Sequence, residues 1–179
     1  MRMKALIQRI VVSALLILAA FLLQNNIFAA IPLVNSTPNL LLLVIISLGL
    51  LHGQVSGLLV GFFAGLMLDI FGGDVLGQYA LILGLLGYGC GFFTPYFYMD
   101  SLLLPLGACA VAELFYGMYV YVFGFLLRGR FDIGYYFGRI ILPETIYTMI
   151  VLVVVYRFLM FVNRRLELAS KRRSADRFV

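Results

Sequence analysis

The sequence offers few side chains able to do chemistry, and most are acids in apolar surroundings. Asp69 and Asp74 lie in "DIFGGDVLGQYAL", Glu113 in "AVAELFY", and Glu144 directly after Pro143. Arg139 is the basic residue nearest to Glu144, and His52, in the turn "LHGQ", is the one histidine. Paired carboxylates can exchange protons or hold a ligand. The parts that would complete a catalytic site are missing: there is no GxSxG, HExxH, P-loop or paired-histidine pattern. Cys90 and Cys109 sit inside apolar runs without a CxxC spacing, as small buried hydrophobes do. The expectation is a protein that is not an enzyme, with no catalytic residue, metal ligand or cofactor site.

Each acid then needs a physical reason for its place. Asp69 closes a helical stretch, where the helix dipole disfavours a carboxylate. Either the backbone N–H groups of the "GGDVLG" turn or an arginine such as Arg139 must offset that. Gly72 and Gly73 permit a positive φ in the turn, and Asp74 is a candidate cap for the next helix. Glu113 falls near the middle of an apolar helix, where an ionised group must face the protein interior or a wet cavity. Tyr116, Tyr119 and Tyr121 could donate to it, or it carries its own proton. Glu144 is expected in the first turn of a helix, near the positive end of the dipole.

The elements that hold these groups follow from composition. Of 179 residues, 64% are hydrophobic and 12% charged, with a mean hydropathy of +1.07. Soluble domains carry about 45–50% apolar and about 25% charged residues. Lipid is therefore the natural solvent, and a single all-α integral membrane domain spanning residues 1–179 is expected. The net charge of +5 does not point to nucleic acid, because the basic residues gather at the two ends of the chain.

Apolar runs place helices at about 6–23, 39–51, 54–71, 76–93, 102–127 and 140–162, followed by a basic tail at 163–179. This is a six-transmembrane-helix bundle with both termini on one side. The terminal arginines and lysines put that side in the cytoplasm. Arg128, Arg130 and Arg139 in the outward connection between helices five and six run against that assignment but are outnumbered.

Helix three carries Gly53, Gly57, Gly61 and Gly65 at four-residue spacing, and Asp69, Gly73 and Gly77 continue the series. Helix four answers with Gly84, Gly87 and Gly91. Residues three or four apart share a helix face. In lipid, small residues let two backbones approach closely. Helices three and four are expected to pack through these glycines, or helix three to offer them to a partner's helix.

From Thr37 to Gly91 the sequence resembles the rod shape-determining MreD family. The likeness lies in the Pro-Asn-Leu opening of helix two, the short polar turn after "GLL", the glycine-spaced helix, and the series Asp69, Phe71, Gly73, Leu76, Gly77. The resemblance implies a non-enzymatic scaffold in the bacterial cytoplasmic membrane, acting in cell elongation, cell shape and side-wall peptidoglycan synthesis. MreC is the main expected partner. MreB, a RodA-type glycosyltransferase and a class B penicillin-binding protein belong to the same complex. It further implies a fold like that of the S components of energy-coupling-factor transporters. The alternative is therefore a solute-binding subunit of a vitamin transporter, with Asp69, Glu113 or Arg139 as ligand groups.

Overall fold

The computed structural model describes residues 2–28, 37–72, 75–96, 102–124, 126 and 133–175, with side chains described within 10–26, 37–72, 75–96, 102–124, 126, 133–158 and 161. Gly73, Asp74, Arg128 and Arg130 lie outside them. All regular structure among the described residues is helical. Helix α1 (Arg2–Leu22) runs into a π-helical turn (Leu23–Phe28), and α2 (Leu40–His52), α3 (Gln54–Gly72), α4 (Gln78–Gly91) and α5 (Leu103–Gly124) follow. A short α6 (Ile133–Tyr136) passes through a second π-helical segment (Phe137–Ile141) into α7 (Leu142–Ala175).

Among the described residues three stretches are long and apolar enough to cross a membrane: Gln54–Gly72, Leu103–Gly124 and Ile133–Phe158. The apolar helices Ile10–Asn26 and Leu40–His52 are shorter. At 1.5 Å per residue, α2 measures only about 20 Å against about 30 Å of hydrocarbon. It is nonetheless the centre of the molecule. Every residue from Leu40 to Leu50 is buried, and α1, α3, α4, α5 and α7 all contact it. Its sequence is apolar on all sides, as full enclosure requires.

The surrounding helices bury one stripe each. In α5 that stripe is Pro105, Cys109, Ala112, Glu113, Gly117 and Tyr121; in α3 it is Gly57, Val60, Gly61, Ala64, Gly65 and Asp69. Their other faces are covered with exposed Leu, Val and Phe, including Val55, Phe63, Val111 and Phe115. Such a surface suits lipid.

The last helix departs from expectation. It starts at Ile133 rather than near residue 140, and its backbone stays helical to Ala175, through the basic stretch read as a tail. Pro143 therefore lies within a continuous helical rod. A proline there removes an N–H and crowds the carbonyl four residues back. The π-helical turn just before it, in which Leu142 N–H donates to Phe137 O, widens the helix where the ring must fit. Glu144 consequently sits well inside the rod and not at its dipolar start.

Candidate functional site

Two constructions in the core bring together the residues singled out above. The first is the α3–α4 pair, the most extensively packed pair of helices in the molecule. A Cβ added at Gly57 would run into the backbone carbonyl of Gly87, and one at Gly87 would run into that of Gly57. A Cβ at Gly61 would meet Leu83 O, at Gly65 the backbone of Tyr79 and Ala80, and at Gly91 the backbone of Gln54. These contacts are backbone against backbone, so no side-chain rotation relieves them.

Two of the candidate packing glycines do other work. Gly84 has room, since an added Cβ would find its nearest neighbour, Leu58 O, at 3.6 Å. A Cβ added at Gly53 would meet nothing within 4 Å, but the residue has a φ of 92° and forms the single-residue joint between α2 and α3. Its N–H donates to Gly49 O at 2.9 Å, and Gly57 N–H returns to Gly53 O at 2.9 Å. Gly49, on α2, was not foreseen. An added Cβ there would stand 2.9 Å from Gly87 O and 3.6 Å from Gly57 Cα. Gly49, Gly57 and Gly87 thus form a three-helix crossing of α2, α3 and α4. The signal was in the sequence, since Gly49, Gly53 and Gly57 share one four-residue spacing.

Asp69 closes the same pair. It is buried, and its carboxylate accepts three backbone hydrogen bonds at the start of α4: Gly77 N–H at 3.0 Å, Tyr79 N–H at 2.9 Å and Ala80 N–H at 3.0 Å. Those are donors that a helix cannot satisfy internally in its first turn. The N-cap position itself is Gly77, with a φ of 95° and no side chain to offer. Asp69 therefore caps α4 from the end of α3. The positive φ falls on Gly77, not on Gly72, whose φ is not in that region. Phe71 is exposed and lies with its ring 5.4 Å from that of Phe21 on α1.

The second construction surrounds the start of α2. Asn39 caps it, its Oδ1 accepting Leu42 N–H at 3.1 Å. Gln24 Oε1, from the end of α1, accepts Leu41 N–H at 3.1 Å, and Thr148 Oγ1, from α7, accepts Asn39 N–H at 3.0 Å. Glu113 lies here, only 2% exposed, with its carboxyl hydrogen-bonded to the side chains of Thr148 and Asn39. Its Oε1 has no hydrogen-bond partner. Of the tyrosines expected to serve it, Tyr119 donates instead to Gln78 O at 3.2 Å, while the ring of Tyr121 lies tilted 5.1 Å from that of Tyr136 and the ring of Tyr116 6.3 Å from that of Tyr79. Glu144, half-buried on α7, is close enough for its charge to be felt at Glu113.

Arg139 joins neither construction. It is exposed in the π-helical turn, its guanidinium 5.7 Å from the centre of the Tyr135 ring. An apolar groove of about 420 Å³ opens between α4 and α5, lined by Gly89, Cys90, Phe93, Gly107, Ala108 and Phe115 among others. Asp69, Glu113 and Arg139 do not line it. Among the described residues no cluster of His, Cys, Asp or Glu could hold a metal ion.

The family model for rod shape-determining protein MreD matches residues 4–165. The chain belongs to the MreD family. The match takes in both constructions, from Gln24 on α1 to Thr148 on α7, and reaches well past the Thr37–Gly91 stretch that carries the resemblance in the sequence. Membership assigns the chain to rod shape determination, as a membrane protein. Comparisons with curated proteins and with solved structures gave no match.

Proposed function

We propose that the chain is a non-enzymatic membrane scaffold of the bacterial cell-elongation complex, crossing the cytoplasmic membrane several times with both termini inside. On this reading it docks MreC, and through it works beside MreB, a RodA-type glycosyltransferase and a class B penicillin-binding protein in side-wall peptidoglycan synthesis. The observation that carries the reading is the family match over residues 4–165. The architecture supports it. Several of its polar groups are spent on helix ends: the buried Asp69 on α4, and the buried Asn39 and Thr148 with the half-buried Gln24 on α2. Groups so engaged hold shape and are not free for bond chemistry.

Partner contacts then belong to what the bundle leaves exposed. Phe71, Val75 and Leu76 at the α3–α4 turn, and Arg139 with Tyr135 before α7, are candidate surfaces. Depletion of the protein in its own bacterium should turn rods into rounded cells, and an affinity-tagged copy should co-purify MreC from mild detergent. Unchanged shape together with a new vitamin requirement would instead support the S-component reading.

A further inference from the structure

We propose that Glu113 is an intramembrane proton-binding site, with the carboxyl held in its neutral, protonated form at the joint of α2, α5 and α7. The hydrogen bonds its neighbours already make leave each of them a donor for it. Asn39 Oδ1 is taken by Leu42 N–H, which leaves the Asn39 amide as a donor. Thr148 Oγ1 accepts Asn39 N–H, which leaves its hydroxyl hydrogen to donate. Both groups therefore give hydrogen bonds to Glu113, and one carboxyl oxygen, Oε1, remains without a partner.

An ionised carboxylate needs both oxygens compensated, and burying one without a counter-charge costs far more than burying a neutral acid. Among the described residues no counter-charge reaches it. The groups that act on Glu113 are Glu144, Thr148 and Asn39. The groups on which Glu113 acts are Cys109 and Tyr116 of its own helix. Tyr79 of α4 and Tyr136 of α6 are coupled to Tyr116 in turn. All of these are neutral or acidic, and the arginines with described side chains, Arg139 and Arg157, are both exposed, Arg139 against Tyr135. The dipole of α2 favours negative charge at its start, but its first N–H groups are already taken by Gln24, Asn39 and Pro38 O. The acid form fits: its carbonyl oxygen accepts from Asn39 and Thr148, and the proton sits on Oε1. Losing that proton would put an uncompensated charge at the contact of three helices and loosen the start of α2.

The test uses the full chain in lipid nanodiscs. A lipid-soluble carbodiimide, which reacts with protonated carboxyls, should label Glu113 at neutral pH. Labelling of that peptide should fall to background in E113Q and persist in E144Q. In the wild type carrying isotope-labelled glutamate, the infrared spectrum should contain a protonated C=O stretch that responds to the isotope and to deuterium. Thr148→Val should move that stretch by removing one of its hydrogen bonds. A glutamate spectrum with carboxylate bands alone would overturn the proposal without need of any variant. So would sodium-dependent protection of Glu113 from the carbodiimide, which would mark a cation site.

Discussion

Asp69 Oδ2 accepts the backbone N–H of Ala80 at 3.0 Å, one helical turn beyond the point where Gly65 lies against the Ala80 backbone. The two contacts fix the same residue of α4 from two successive positions of one stripe on α3. Close glycine packing sets the separation of the helices, and the carboxylate sets how far one slides along the other.

Asp69→Ala should destabilise the protein by about 3 kcal/mol, because it strands three donors at the start of α4, two of them at least partly buried. Asp69→Asn keeps one acceptor oxygen and should lose less. Thermal unfolding in detergent measures both. Equal stabilities for the two variants would contradict the cap.

Gly61→Ala should cost about 1–3 kcal/mol, since its Cβ meets backbone at Leu83 and the helices must separate. Gly84→Ala, on the facing helix, should stay within about 0.5 kcal/mol, since its nearest neighbour would be at ordinary contact distance. Two glycines that look alike in the sequence are thus expected to differ several-fold in the same unfolding assay. Matching losses would show that the helices are not in this register.

Gly53→Ala and Gly77→Ala meet no steric obstacle, but each backbone has φ above +90°. Each should cost about 1–2 kcal/mol through backbone strain alone. At Gly77, whose ψ of −9° is that of the left-handed helical region, replacement by Asn should recover part of the loss; at Gly53, whose ψ of −179° is tolerated essentially by glycine alone, it should not. Stability is again the readout, and a Gly77→Asn variant no better than Gly77→Ala would argue against the strain.

Thr148→Val should weaken the junction of α2 and α7 by about 1–3 kcal/mol, because Asn39 N–H is buried and loses its acceptor. Thr145→Val, at a site where the hydroxyl donates at 2.8 Å to the Ile141 carbonyl of its own helix, should cost less. A comparison of hydrogen exchange at the start of α2 in the two variants separates a local from a global effect.

Much of this architecture was legible beforehand because its signals are periodic. The four-residue glycine series on α3 and its counterpart on α4 point to a shared face, and Asp69 continues the row. What the sequence could not supply was depth and enclosure. In a chain with lipid for solvent, a fully apolar helix such as α2 reads the same whether it faces lipid or protein, so its central place was hidden. Gly49 was overlooked for that reason, lying in the helix before the stripe. The π-helical turn before Pro143 was also illegible. Proline ordinarily marks a helix start, and only the tertiary fit of Tyr136 and Ile141 against Tyr121 and Gly117 shows the helix passing through it. Glu113 stood out by type, whereas its partners, Asn39 and Thr148, come from distant segments that only folding brings together.

The central claim is that rod shape depends on the glycine-packed α3–α4 unit. The direct measurement is cell shape after the native protein is depleted and a variant is supplied at equal membrane abundance. Gly84→Ala should restore rods as the wild type does, while Gly61→Leu should insert into the membrane yet leave rounded cells. Rods restored by Gly61→Leu would contradict the account.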